Sequence, residues 1–180
     1  MATCWRWYPS PILISVMRYF DELKRSMNWI ATQETSIFVG QAVSVPGTAM
    51  FNTLKEIPED QRIELPVFED TQMGMSLGLT LAGKRVVSVF PRWNFLLCAT
   101  NQLVNHVDKY KLMSNGEIAP SLIIRTSVGS ERPLFPGHQH VGNYSAPFRQ
   151  MLKNVDVVEL HEPEQIFTEY QHAFNRDDGR

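Results

Sequence analysis

Residues 63–90 read IELPVFEDTQMGMSLGLTLAGKRVVSVF. Ile63–Phe68 and Arg85–Phe90 are runs of strand length, rich in β-branched and aromatic residues. The second, Val86-Val87-Ser88-Val89-Phe90, is almost continuously apolar. A strand with no alternation is covered on both faces, as strands of a parallel sheet are. Between the two runs, Gln72–Ala82 is small and apolar, with Gly74 and Gly78 four residues apart and so on one helical face. That spacing predicts close approach of the helix to the sheet. Gly83 is placed to stop the helix before Lys84. Strand, helix and strand in so short a span predict a right-handed crossover between parallel strands.

The alternation continues outward. Ser36–Val39 is an earlier strand candidate, and Ser121–Ser127 and Val155–Leu160 are later ones, which makes five. Arg18–Ile30 places Tyr19, Phe20, Leu23, Met27 and Ile30 at helical spacing. Thr48–Leu54 predicts a short helix, and Glu164–Asn175 closes the chain. Asn94–Tyr110 puts Phe95, Ala99, Leu103 and Val107 on one stripe and predicts a single helix. The fold class is therefore α/β, a parallel sheet between two helical layers. Ligands of such sheets lie at the carboxyl ends of the strands.

The bulk numbers fit one domain. The chain has 180 residues, 43% of them hydrophobic and 20% charged, with a formal net charge of -2. That balance excludes the disordered and collagen-like classes. No Lys/Arg run marks nucleic acid or an anionic membrane as partner. The two cysteines, Cys4 and Cys98, make a disulfide framework implausible, and no Cys/His cluster has zinc spacing. The expected compartment is the cytoplasm. Residues 1–16 carry Trp5, Trp7, Tyr8 and two prolines without period, and read as a poorly ordered tail. The domain is expected over 17–180, with Met17 a candidate native start.

Three residue types stand where chemistry would occur. Glu69 follows the apolar Leu65–Phe68 and would sit at a strand's carboxyl end; with Asp70 it could equally do no more than cap the next helix. Trp93 and Phe95 follow the strand end at Phe90–Pro91, where an aromatic can stack on a flat heterocycle or simply join the core. His138 and His140 lie in the turn-rich loop Val128–Asn143, as a proton donor, as part of a metal site lacking a third ligand, or as plain loop residues. The residues alone stop short of a reaction.

The order of these residues resembles a known family, the beta subunit of the 2-oxo acid dehydrogenase first component, within the transketolase-like pyrimidine-binding domains. The resemblance runs from about Arg18 to Phe174. It is densest from Glu69 to Gly129, through Gly74, Gly78, Gly83, Arg85-Val86-Val87, Phe90, Asn94-Phe95, Asn101–Asn105, Lys109 and Leu112–Gly116. Gln139-His140 is similar to the family's Gln-His-Ser, with Val141 in place of Ser. Gln41 stands where the family has an acid, and Ser44–Gly47 is shorter than its glycine-rich segment.

The resemblance implies a three-layer thiamine diphosphate-binding domain of the pyrimidine type. It implies that Glu69 is the cofactor-activating acid and His140 the proton-shuttling histidine, with Phe95 stacking on the aminopyrimidine and Phe90 and Pro91 beside it. It also implies a decarboxylation, or an acyl or ketol transfer, on a small 2-oxo substrate, as an oxidoreductase component, a decarboxylase or a transketolase. No Gly-Asp-Gly with a downstream Asn occurs in the sequence. Mg²⁺ and the diphosphate would then be held by a separate alpha-type subunit, in a heterodimer or α₂β₂ heterotetramer, with self-association when that partner is absent. A non-catalytic regulatory subunit is the rival reading, and a flavodoxin-like module a weaker one.

Overall fold

The structure, a computed structural model, describes residues 11–129, 131 and 135–176, with side chains from residue 18 onward. Four strands, β1 (Ser36–Gly40), β2 (Arg62–Glu64), β3 (Arg85–Val89) and β4 (Leu122–Arg125), form one sheet in the order β2-β1-β3-β4. All three ladders are parallel. Among the described residues the α-helices are α1 (Pro11–Ala31), α2 (Ala49–Asn52), α3 (Glu69–Leu81), α4 (Trp93–Leu96), α5 (Thr100–Asn105), α6 (Tyr110–Met113), α7 (Ser145–Met151) and α8 (Pro163–Asn175).

The sheet divides the core in two. On one face, Val87 and Val89 pack with Phe38 against Met27 and Ile30 of α1 and Ile166, Tyr170 and Phe174 of α8. On the other, Met73 and Leu77 of α3 pack with Trp93, Leu96, Leu103 and Phe148. The strand period of two sends Ser88 to this second face. There Ser88 Oγ accepts from Gln72 Nε2 at 3.1 Å and lies 2.9 Å from Ser76 Oγ, which pins α3 to β3 through a buried polar contact. The domain is the expected three-layer α/β unit with a parallel sheet.

Several elements differ from expectation, each for a local reason. The second strand ends at Glu64 rather than Phe68. Leu65 N makes its last bond, to Gly40 O at 2.8 Å, and Pro66 has no N–H to continue the ladder. The helix predicted over Asn94–Tyr110 is broken into α4, α5 and α6 by 3₁₀ turns at Leu97–Ala99 and Val107–Lys109. Asp108 is the anchor at the second break: its carboxylate accepts from Lys153 N at 2.8 Å and Asn154 N at 2.7 Å. Burial pushes that carboxyl up. The Lys109 ammonium and the amides of Asn154 and Lys153 together outweigh burial and hold it below the usual range.

The expected fifth strand, Val155–Leu160, forms no ladder. Its carbonyls are taken by side chains: Leu160 O accepts from Tyr19 Oη at 2.8 Å and Val157 O from Arg149 Nε at 3.0 Å. Among the described residues, β4 pairs with β3 alone. Gly78 is also not the packing residue its spacing suggested, because a Cβ there would meet nothing within 4 Å. Gly83 is the helix stop, at φ +84°. Of the expected tail, residues 1–10 and the side chains of 11–17 lie outside the described residues; the backbone of 11–16 opens α1, with Pro11 at its first position.

Candidate active site

Parallel strands share a carboxyl edge, and the register makes it a straight row. Gly40 faces Glu64 on one side and Val89 on the other, and Val89 faces Arg125. The chain leaving that row carries every residue singled out from the sequence. Gln41 leaves β1, Glu69 follows β2, Phe95 follows β3, and His140 follows β4.

Gly40 sets the geometry at the centre. Its φ is +144°, and a Cβ there would lie 2.2 Å from Val89 O and 2.7 Å from Gln72 Nε2. No side chain fits, so the backbone turns sharply into Gln41. The next residues wrap the Glu64 carboxylate, which accepts from Ala42 N and Val43 N at 2.8 Å and from Ser44 N at 2.7 Å. Ala42 adopts φ 60° to do so, a strained value for a non-glycine residue, held by these charge-assisted bonds. This nest fixes Gln41, whose Nε2 donates to Glu69 Oε1 at 3.2 Å.

Glu69 is the first residue of α3 and only 8% exposed. Among the described residues Gln41 is its one side-chain hydrogen-bond partner. It does not act as the helix cap, since Phe68 holds that position without a side-chain bond. Asp70 does not cap either. It lies within the first turn and accepts from Gln102 Nε2 at 3.3 Å, which ties α3 to α5.

Phe95 and His140 come together from separate elements, ring centroids 5.6 Å apart. His140 ends a 3₁₀ turn over His138–His140, and its carbonyl accepts from Arg92 Nη1 at 3.1 Å. A Cβ on Gly129 would fall 1.7 Å from His140 O, so only glycine lets the loop close on the chain leaving β4. Among the described residues, His140 Nδ1 and Asn94 Oδ1 are both buried without a hydrogen-bond partner. Asn94 Nδ2 reaches Tyr144 Oη at 3.4 Å. His138 packs edge-on against Phe135, ring centroids 5.1 Å apart.

Phe90 is fully buried in the α3-side core and offers no side-chain surface to this edge. Trp93 is likewise core, 5.1 Å from Phe148. Pro91 stays near the edge, its carbonyl accepting from Ser127 Oγ at 2.6 Å. Reading the sequence alone passed over Gly40, Glu64 and Arg92, and gave Asn94 a place in the resemblance without a role. The Gly-Gln pair directly after a strand was a usable signal for the first. The others act through contacts of long sequence separation that no local pattern carries.

The arrangement suits a flat polar ring. It offers a sparsely bonded carboxylate, a half-buried aromatic face and two unpartnered polar atoms, one of them on a histidine. A carboxyl can share a proton with a ring nitrogen, an aromatic can stack, and a histidine can pass a proton.

Comparison with known proteins agrees with the residues. A scan against protein-family models finds no match. The chain is 23% identical over 120 residues to the 2-oxoisovalerate dehydrogenase subunit beta of Bacillus subtilis (strain 168), covering 64% of this chain and 37% of that protein. It is 27% identical over 149 residues to the pyruvate dehydrogenase E1 component subunit beta of Gracilaria tenuistipitata var. liui, covering 80% of this chain and 45% of that one. With the protein of the same name from Rickettsia bellii (strain RML369-C) it shares 28% over 93 residues, 52% of this chain and 28% of the relative. The chain thus spans less than half the length of these relatives. The family resemblance is supported: this chain is similar to the beta subunits of 2-oxo acid dehydrogenase first components.

Proposed function

We propose that the chain is the pyrimidine-binding subunit of a split thiamine diphosphate enzyme acting on a 2-oxo acid or ketose. The observation that carries this reading is Glu69, a buried carboxylate at the sheet's carboxyl edge with a single side-chain partner, Gln41. A purely structural buried acid is ordinarily saturated with donors, and even the half-buried Glu64 is. A non-catalytic subunit has no need of such an under-bonded group. Phe95 would stack on the aminopyrimidine, Glu69 would hold a proton against a ring nitrogen, and His140 would move protons near the substrate. When bound, the cofactor supplies the carbon nucleophile.

A partner subunit would hold the diphosphate and Mg²⁺, which need oxygen ligands. Val67 and Phe68 support a partner on this side. They are 73% and 65% exposed on the segment leading into Glu69, an unusual place for large apolar groups in solvent. The test is calorimetry with thiamine diphosphate and Mg²⁺. The chain alone should bind weakly or not at all, and saturable Mg²⁺-dependent binding should arise on adding the diphosphate-binding subunit. Micromolar Mg²⁺-dependent binding by the isolated monomer would overturn the split site.

A further inference from the structure

A cavity of about 520 Å³ lies beyond the unpaired edge of β4, between it and the segment 155–161. Arg125, the last residue of β4, lines it and is 6% exposed. Among the described residues its Nη1 is buried without a hydrogen-bond partner, and so is Oγ1 of Thr126, which lines the same cavity. The hydroxyl-bearing rings of Tyr19 and Tyr170 stand beside the guanidinium and also line the space. Burial disfavours the Arg125 charge, while these two hydroxyls favour it. The acids that border the cavity are committed elsewhere. Asp156 pairs with Arg176 at 2.6 Å and Glu159 with Arg149 at 2.9 Å.

A buried guanidinium without an anion is costly, since desolvation is uncompensated. Two consecutive residues that line one cavity each carry an orphaned buried polar atom, which indicates that something with acceptors fills it. We propose that the cavity is a binding site for a small aliphatic monocarboxylate, its carboxylate held by Arg125 and Thr126. One cation suits one negative charge, whereas a phosphate dianion calls for more. The remaining wall is largely apolar, with Leu23, Leu96, Ile124, Phe148 and Val157, and it fits a short hydrocarbon tail. The cavity opens at the same end of the sheet, but Glu69, Phe95 and His140 do not line it, and its occupancy does not depend on the activity proposed there.

The experiment is an NMR titration of the full chain with sodium butyrate at constant ionic strength, with butyramide and inorganic phosphate as comparison probes. Saturable amide shifts at Arg125, Thr126 and Val157 are expected with butyrate and with neither other probe. Arg125→Met removes an unpaired buried charge, so the variant should fold, and butyrate should bind it roughly tenfold more weakly or worse. Thr126→Val, nearly isosteric, should weaken binding by about three- to tenfold and keeps the test open if Arg125→Met fails to fold. The proposal is overturned if butyrate gives no saturable shifts, if butyramide binds as well, if phosphate displaces butyrate, or if both variants bind like the wild type.

Discussion

Glu64 and Glu69 leave the same strand, five positions apart, and meet opposite fates. Glu64 is wrapped by three backbone amides at 2.7–2.8 Å, with a fourth from Val45 at 3.4 Å. Glu69 is more fully withdrawn from solvent than the half-buried Glu64, yet among the described residues it receives one side-chain amide, at 3.2 Å. The first carboxylate spends its acceptors on shaping the chain, and the second keeps them for something else. What separates them is backbone supply. The turn after Gly40 delivers a run of free N–H groups to Glu64, whereas Glu69 begins a helix whose own first N–H groups point along the axis. Residue type is the same at both positions and Glu69 is the more buried, so type and burial would call for more bonds there; saturation runs the other way.

The sharpest way to break this comparison is to remove the charge from each acid in turn. Glu69→Gln keeps size and a carbonyl acceptor for Gln41, so the protein should fold and assemble. Proton sharing is lost, and hydrogen exchange at the thiazolium carbon in the reconstituted complex should slow by roughly 10²–10⁴-fold. Quenched exchange followed by NMR reads this directly. Wild-type rates in a well-folded variant would leave Glu69 a structural residue like its neighbour.

Glu64→Ala should do the reverse. It strips the acceptor from several backbone amides at once and releases the strained turn at Ala42, so stability should drop by about 3 kcal/mol, seen as a lower urea midpoint. The same exchange assay, run under conditions where the variant is folded, should show a smaller loss than Glu69→Gln. A Glu64→Ala protein of unchanged stability would mean that the nest is not what holds the turn.

A third acid extends the comparison to pH. Asp108 resembles Glu64 in its saturation, and its carboxyl is held below the ordinary range. A depressed folded pKa adds stability that is complete above the unfolded value, about 3.9, and is lost as pH falls through the folded value. Melting temperature should therefore decline below about pH 4 in the wild type. Asp108→Asn should be less stable at neutral pH by about 2 kcal/mol and show a shallower decline in acid. Parallel acid profiles for the two proteins would remove Asp108 as the source.

How much of this was legible in the sequence follows from the range of the forces involved. The parallel sheet was readable because Val86–Phe90 carries its burial in its own composition. Glu69, Phe95 and His140 were found as positions because strand ends are local events. Saturation was not readable, because the bonds to Glu64 span about twenty residues and those to Asp108 about forty-five. The same limit hid the broken helix: its apolar stripe is continuous, and the tertiary bonds from residues 153 and 154 to Asp108 override it. Val155–Leu160 failed in the other sense. Its pattern suits a strand, but α1 and α7 side chains occupy the carbonyls a ladder would use.

Asp70 is the smallest effect and the internal control. It sits next to Glu69, carries the same charge, and occupies the same first turn of α3. Its one side-chain bond, from Gln102 Nε2 at 3.3 Å, is long. A charge at this end of a helix is favoured by the macrodipole by about 0.3–1 kcal/mol. Asp70→Asn keeps an acceptor for Gln102 and loses only that charge. The urea midpoint should therefore fall by an amount worth at most about 1 kcal/mol, and salt should shrink the difference. Thiazolium exchange in the complex should stay within about threefold of wild type, since a half-buried charge turned to Gln102 does not share the proton held at Glu69. A loss at Asp70→Asn as large as that at Glu69→Gln would show that the helix terminus as a whole, and not one under-bonded carboxylate, sets the chemistry of this edge.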